Sequence, residues 1–123
     1  MTGSSIIGWS HLPFGKHADQ DIESMMVEAG AAALKHAGVA PADVDAIFVG
    51  HFNAGFSAQD FPSSLSFGID PALRFKPATR VENACATGSA AVHQGITRIA
   101  AKQARIVLVI GVEHMTANDG AAI

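Results

Sequence analysis

The sequence predicts an α/β fold: a mostly parallel sheet with crossover helices, in the order β-α-β-α-β-α-β, within a single domain at residues 1–123. Short apolar runs alternate with longer segments of helical periodicity. The runs at residues 45–50 and 105–111 are apolar without strict alternation, as expected for strands covered on both faces. Strands separated by helical segments pair in parallel, because each crossover returns the chain to the same edge of the sheet.

The first strand and the first helix are predicted near the amino terminus. Residues 5–9 form a short apolar run that favours a strand. A helix follows, since Asp19 or Asp21 can cap its start and Gly38, with Pro41 beyond it, marks its end. The residues that recur there at helical spacing are Ile22, Met25, Met26, Ala29, Ala32, Ala33 and Leu34.

The remaining elements follow in order. Residues 45–50 are predicted to form the second strand, and residues 57–69 are weakly helical, with Pro62 close to the helix start. Residues 80–83 form a short third strand that leads directly into a helix from residue 84 to about residue 102. Residues 105–111 form the clearest strand of the chain.

The helix after residue 84 carries small side chains on nearly every side. A surface helix normally has one apolar stripe and one charged face, so this composition indicates burial between two closely spaced layers. One sheet supplies only one of those layers. The second is expected from another polypeptide or from sequence outside this chain. The small residues are Ala84, Ala86, Gly88, Ser89, Ala90, Ala91, Gly95, Ala100 and Ala101.

Composition narrows the classes of function. The net charge is −3 and the eight lysines and arginines are scattered, which predicts no nucleic-acid partner. The apolar runs are shorter than the roughly 20 residues that cross a bilayer, and residues 1–5 lack the start of a signal peptide. We therefore expect no membrane partner, a cytoplasmic location and a small-molecule substrate.

Cys85, the only cysteine, is the main candidate for chemistry. It lies where the third strand turns into a helix, and catalytic groups collect at the carboxyl ends of parallel strands. Free N–H groups at a helix start favour the nucleophilic thiolate and can donate to an oxyanion. The alternative is a small buried residue in a helix of small residues, and spacing alone does not choose between the two.

Three segments resemble those of the thiolase superfamily. Residues 81–91, Val-Glu-Asn-Ala-Cys-Ala-Thr-Gly-Ser-Ala-Ala, resemble its nucleophile segment, especially the Asn-x-Cys-x-[ST]-Gly-[ST] pattern of the sterol-carrier-protein-type branch. Residues 110–116, Ile-Gly-Val-Glu-His-Met-Thr, are similar to a second family segment, and residues 7–16 to its opening strand and turn. The resemblance covers essentially the whole chain and implies one half of a layered αβαβα thiolase fold.

By this resemblance the chain is part of an acetyl-CoA acetyltransferase-type acyltransferase. Cys85 would be the nucleophile that takes an acyl group from a coenzyme A thioester, with its backbone N–H as an oxyanion donor. A second thioester or free coenzyme A would then attack the acyl-cysteine, in condensation or thiolysis. Coenzyme A thioester is the implied substrate, and no covalently bound cofactor is implied.

The resemblance also implies that half of the site is missing. In the family a histidine, an asparagine and a second catalytic cysteine follow in the carboxyl-terminal half, and the loop region with most coenzyme A contacts would begin near Ala117. We therefore expect residues 1–123 to be an incomplete amino-terminal domain, active only with its complementary half and inactive alone. The resemblance further implies a homodimer or higher oligomer through the strand at residues 79–83.

His51, His114 and Met115 are predicted as substrate-binding residues. Both histidines follow strand ends and are placed to line the same rim as Cys85, although a structural role is an open alternative for each. His93 lies about 12 Å along the helix axis from Cys85, too far to act as its base. His11 and His17 have no metal-binding spacing, so no metal site is predicted.

Two other functions remain open at this point. A ketoacyl-synthase-like condensing enzyme has a nucleophile at the same position, although Asn83 and residues 87–89 favour the thiolase pattern. A non-catalytic thiolase-like subunit, kept for assembly or lipid-thioester binding, is the other. Asp43 and Asp45 precede the second strand, at the edge opposite the predicted site, and are expected to lie in a solvated loop.

Overall fold

A computed structural model describes residues 3–116. Two helices, α1 (Ile22–Ala37) and α2 (Thr87–Ala100), cover the two faces of a parallel sheet. The sheet has three strands, β1 (Ala46–Gly50), β2 (Ala78–Val81) and β3 (Val107–Gly111), in the order β2-β1-β3. Both pairings are parallel. The predicted α/β class with a parallel sheet is confirmed.

Helix α1 begins and ends at two capping residues. Asp21 Oδ1 accepts a hydrogen bond of 2.8 Å from Ser24 N, and Ser24 Oγ accepts one of 3.1 Å from Asp21 N. The bond from the Ser24 N–H lowers the pKa of the Asp21 carboxyl. Gly38 ends the helix in the left-handed conformation, at φ +67°, where glycine carries no steric cost. Of the two predicted caps, Asp21 is the one used.

The core is divided between the two faces of the sheet. Alternate residues of β1 and β3 point towards α1, and the intervening ones point towards α2, as the two-residue period of a strand requires. Met26 of α1 is fully buried against the first face, and Ala91 of α2 is fully buried against the second. The residues that face α1 are Ile47, Val49, Leu108 and Ile110, and those that face α2 are Ala46, Phe48, Val107 and Val109.

Small residues let α2 lie close to the sheet. A Cβ atom at Gly95 would come within 3.1 Å of Val109 Cγ2, so a larger residue there would push the helix outward. Thr87, Ala91 and Gly95 are buried on this face, whereas Val92 and Ile96 on the helix are exposed. Within residues 3–116, one of the two layers predicted around this helix is therefore present.

The strand predicted at residues 5–9 does not form among the described residues. A strand needs a neighbouring backbone to bond with, and this extended segment instead bonds to α1. Trp9 N donates to His36 Nδ1 at 3.0 Å, and Ser10 Oγ donates to Ala29 O at 2.6 Å. A groove of about 830 Å³ separates residues 4–10 from β3. Ile6 is 85% exposed and Trp9 is 66% exposed beside it.

Four predicted boundaries also shift. The weak helix at residues 57–69 is a 3₁₀ helix that starts only at Pro62, because proline favours the first position of a helix. Ser57 N instead bonds to Asn53 Oδ1 at 2.8 Å. The third strand spans 78–81 rather than 80–83, since the chain turns after Val81. Helix α2 starts at Thr87, after a 3₁₀ turn at Ala84–Ala86, and β3 starts at Val107.

Neither helix of the described chain has the length and apolar character needed to cross a membrane.

Asp45 ties the start of β1 to the start of β3. Its Oδ2 accepts hydrogen bonds from Arg105 N at 2.8 Å and Ile106 N at 3.0 Å. Its own N–H donates to Ile106 O at 2.8 Å. The N–H groups of Ile106 and Arg105 lower the pKa of the Asp45 carboxyl. The side chain is exposed, as expected for a loop at this edge, but it also fixes the register of two strands.

We expect Asp45→Ala to weaken the start of β3 by about 1 kcal/mol, the usual value of a partly solvated hydrogen bond. That change corresponds to about fivefold faster exchange of the Arg105 and Ile106 amide hydrogens at pH 7. Because folding lowers the Asp45 pKa, its stabilisation is present above the unfolded pKa of about 3.9 and is lost as the pH falls through the folded pKa. Asp43→Ala is the control, and equal exchange in the two variants would contradict this role.

Candidate functional site

Cys85 is displayed on a sharp turn between β2 and α2. After Val81 the backbone leaves the extended conformation, with Asn83 at φ −156° and ψ 54°. Ala84 then adopts φ +46°, a left-handed conformation that residues other than glycine seldom occupy. A single 3₁₀ turn at Ala84–Ala86 carries Cys85 and leads into α2. The thiol is exposed, so the structure does not place Cys85 as a buried core residue.

A cleft of about 630 Å³ opens beside this turn. Three separate parts of the chain line it: residues 10–17, the turn at residues 84–88, and residues 111–116. These are the three segments whose sequences resemble thiolase motifs. Its volume lies within the range of small-molecule binding sites. Gly50 and Phe52, at and just past the end of β1, complete the wall behind Cys85.

Two hydrogen bonds join the rims of the cleft. His114 Nε2 donates to Lys16 O at 2.9 Å, and Thr116 Oγ1 donates to the same oxygen at 2.9 Å. His114 is 9% exposed and Met115 is 52% exposed, and both line the cleft with Cys85. The structure thus brings together three of the four residues that the sequence singled out.

His51 lies behind the cleft wall and does not line it. Its side chain is 1% exposed, and Nδ1 donates to Val112 O at 2.8 Å, across the ends of β1 and β3. Among the described residues, its Nε2 atom has no hydrogen-bond partner. The contacts of His51 hold the residues after β3 in place. His93 is exposed on α2 and lines the groove beside β3 rather than the cleft.

A polar network that the sequence did not reveal shapes the loop at residues 51–60. The Glu113 carboxylate accepts hydrogen bonds from Phe52 N and from Asn53 N, the latter at 3.2 Å. Asn53 has φ +71°, which asparagine tolerates better than most residues. The loop therefore holds Phe52 at the edge of the cleft. An Asn followed by Gly two residues later is the one local signal for such a turn.

The other side of this loop is held by Arg80 of β2. Its Nη1 donates to Asp60 Oδ1 at 2.7 Å, and its Nε donates to His51 O at 3.0 Å. Asn53 Nδ2 also donates to Asp60 Oδ1, at 3.0 Å. The Asn53 amide, followed by the Arg80 guanidinium, lowers the pKa of the Asp60 carboxyl. The loop conformation therefore depends on a neighbouring strand as well as on its own sequence.

The chemistry of the cleft rests on Cys85 and its backbone. Within residues 3–116 no side chain hydrogen-bonds to the thiol, and the Cys85 N–H has no acceptor. A nucleophile with a free N–H beside it can attack a carbonyl and stabilise the oxyanion that forms. The part of the chain that the structure describes contains no group of three or more His, Cys, Asp or Glu side chains that could hold a metal ion. The predicted coenzyme A loop region, beginning near Ala117, lies outside the described residues.

Curated relatives cover nearly all of this chain. Two proteins named acetyl-CoA acetyltransferase, from Methanocaldococcus jannaschii and Methanothermobacter thermautotrophicus, are 39% and 42% identical to it over 120 residues. The alignments cover 94% of this chain and 30% of each relative. The chain therefore spans about 30% of the length of the curated relatives it matches.

Solved structures share the fold. The acetyl-CoA acetyltransferase from Syntrophomonas wolfei superposes with a TM-score of 0.79 at 25% identity, over 90% of this chain and 29% of that one. The 3-oxoacyl-[acyl-carrier-protein] synthase III from Aquifex aeolicus VF5 gives 0.67 at 22% identity, over 84% and 34%, a likeness of fold alone. The family model for the thiolase N-terminal domain matches residues 4–122, which include all three cleft segments. The chain belongs to the thiolase family and contains its N-terminal domain.

Proposed function

We propose that this chain provides the nucleophile half of a thiolase-type acyltransferase that acts on coenzyme A thioesters. The observation that carries the proposal is the exposed thiol of Cys85 in a cleft lined by all three thiolase-like segments. The names of the two curated relatives, acetyl-CoA acetyltransferase, support an acetyl group and coenzyme A as the reacting partners. A free, exposed thiol suits a reducing compartment such as the cytoplasm.

In the first step Cys85 Sγ attacks the thioester carbonyl carbon. The Cys85 N–H donates to the oxygen that becomes negative, and this stabilises the tetrahedral intermediate. The bond between the carbonyl carbon and the coenzyme A sulfur then breaks, which leaves an acyl-cysteine. The proton from Cys85 passes through a base outside residues 3–116 to the departing coenzyme A thiolate.

In the second step the acyl group leaves Cys85. In condensation, the α-carbon of a second acyl thioester loses a proton and attacks the acyl-cysteine. Thiolysis runs the condensation in reverse. Cys85 Sγ attacks the keto carbon of a 3-ketoacyl thioester, the bond from that carbon to the α-carbon breaks, and the α-carbon takes up a proton to give the shorter acyl thioester. Coenzyme A then attacks the acyl-cysteine and takes the acyl group from Cys85. Exposed Met115 and buried His114 are proposed to contact the substrate at the cleft, and His51 to support the wall from behind.

The base for Cys85 and the layer that covers α2 and the groove beside β3 are proposed to come from a carboxyl-terminal part of the protein. The chain matches only 30% of its curated relatives, so a complementary region of larger size is expected. The exposed face of α2 and the groove beside β3 support this, because both leave apolar side chains in water. We propose that the complementary part packs over these two surfaces.

A second copy of the protein is proposed to pair at β2. This strand lies at the edge of the sheet, and among the described residues its outer side carries no neighbouring strand. Unpaired edges readily accept another strand. Residues 79–83 lead directly into the turn of Cys85, so pairing there would steady the nucleophile.

Replacing Cys85 with alanine in the complete protein should abolish acyl-enzyme formation. Wild-type protein treated with acetyl-CoA labelled in the acetyl group should carry one label per chain, mapped to Cys85 by peptide mass spectrometry. We expect activity to fall by more than about 1,000-fold, because covalent catalysis is lost altogether. Asp43→Ala, which changes an exposed side chain at the opposite edge of the sheet, is the control.

Other outcomes would change the proposal. A label that appears on another residue in the Cys85→Ala variant would remove Cys85 as the nucleophile. An unlabelled wild-type protein whose thiol reacts with iodoacetamide no faster than an ordinary cysteine would indicate a non-catalytic subunit.

Residues 1–123 produced alone are expected to self-associate. Phe14 is 95% exposed and Phe75 is 99% exposed, in addition to the apolar side chains along the groove, which is more than isolated monomers usually tolerate. Static light scattering should give a mass above that of one 12.7 kDa chain. The complete protein, with these surfaces covered, should be monodisperse. A monodisperse monomer of residues 1–123 would contradict the need for a covering part.

A further inference from the structure

We propose that Thr87 is a positioning residue that holds the turn carrying Cys85 in its reactive conformation. The proposal rests on the role of Cys85 proposed above. It deepens that role by assigning a task to a hydroxyl group whose two hydrogen bonds both go to the backbone of the turn.

The Thr87 hydroxyl bonds to the backbone on both sides of Ala84. Its Oγ1 accepts a hydrogen bond from Asn83 N at 2.8 Å and donates one to Ala84 O at 2.6 Å. A hydroxyl has one proton to donate, and here that proton and one lone pair are both used within a single turn. Thr87 is 7% exposed, so water has little access to compete for these bonds.

The turn needs these two hydrogen bonds because its backbone is strained. Ala84 has φ +46°, and alanine has no polar side chain with which to stabilise a left-handed conformation. Asn83 N lies beyond the last residue of β2 and so receives no partner from the sheet. The Glu82 carboxylate accepts the Ala84 N–H, which supports the same turn from its other end. Without the Thr87 hydroxyl, the Asn83 N–H would lose its acceptor and Ala84 O would lose one hydrogen bond.

The methyl group of Thr87 has a different task from the hydroxyl. A Cβ atom built on Gly50 would come within 3.2 Å of Thr87 Cγ2 and of Thr87 O, so β1 and the start of α2 are in close contact. The methyl group packs the helix start against the sheet, and the hydroxyl closes the turn. Because the two groups of one side chain act separately, substitutions can separate them.

Losing the hydroxyl should misalign the nucleophile. Cys85 directly follows Ala84, so a relaxation of Ala84 towards an unstrained conformation rotates the thiol and the Cys85 N–H together. Acyl transfer depends on both groups meeting one carbonyl at once, and displacements of about 1 Å can cost on the order of 100-fold in rate. Binding of the substrate elsewhere in the cleft would be little affected.

The test compares three variants of the complete protein. Thr87→Val keeps a methyl group against Gly50 and removes the hydroxyl, whereas Thr87→Ser keeps the hydroxyl and removes the methyl group. Asp43→Ala, at an exposed position on the opposite edge of the sheet, is the control. The rate of acylation of Cys85 by acetyl-CoA, the KM and kcat, and the pH profile of alkylation by iodoacetamide are measured for each.

We expect Thr87→Val to reduce acylation and kcat by about 10- to 100-fold with KM nearly unchanged, and Thr87→Ser to stay close to wild type. The alkylation profile of Thr87→Val should shift relative to wild type, and that of Asp43→Ala should not. Adding Ala84→Gly to Thr87→Val should recover part of the rate, because glycine adopts the left-handed conformation without strain.

Three results would overturn the proposal. The first is an unchanged rate in Thr87→Val, and the second is an equal loss in Thr87→Val and Thr87→Ser, which would show that the effect is not specific to the hydroxyl. If Thr87→Val does not fold, Thr87→Ala and Thr87→Ser form the matched pair, since they differ only in the hydroxyl. Equal acylation rates in these two variants are the third result. A wild-type protein that is not acylated at Cys85 contradicts the proposed function instead, so the two failures are distinguishable.

Discussion

The pairing of β1 with both of its neighbours is the interaction on which the rest of the structure depends. All five of its residues are buried, β2 and β3 bond to its two edges, and α1 and α2 pack on its two faces. Parallel pairing also aligns the carboxyl ends of the three strands, with Gly50 opposite Val81 on one side and Gly111 on the other. The residues after those ends therefore meet in one place, and the cleft forms there.

Close approach at this edge is possible because small residues meet there. Gly50 leaves room for Thr87, and the small residues of α2 let the helix lie against β1 and β3. The turn of Cys85 is thus held from below by the sheet, from within by the Thr87 hydroxyl, and from beside by Glu82. A nucleophile fixed by several local contacts needs little reorganisation when it reacts.

The sequence predicted the features of the fold that depend on residues close together in the chain. The caps of α1, the three strands of the sheet and the strand-to-helix position of Cys85 all follow from local patterns, and the structure confirms them. The prediction of a strand at residues 5–9 was wrong for the described chain. An apolar pattern indicates that a segment tends to be extended, but it does not identify the neighbouring strand that must bond to it. The bonds of Glu113 to Phe52 and of Arg80 to Asp60 join residues far apart in sequence, so no local pattern reveals them.

The division of the site has a physical consequence for how the protein would work. Residues 3–116 hold the thiol and the N–H of Cys85 on one 3₁₀ turn, but they offer the thiol no proton acceptor within hydrogen-bond reach. Proton transfer requires such a group at about 3 Å, so in the proposed mechanism the base reaches Cys85 when the complementary part docks. The apolar groove and the exposed face of α2 are the surfaces proposed for that docking, and Gly88 lines both the groove and the cleft. On this proposal, burial of the apolar surface and completion of the active site would be the same event, and activity would depend on assembly.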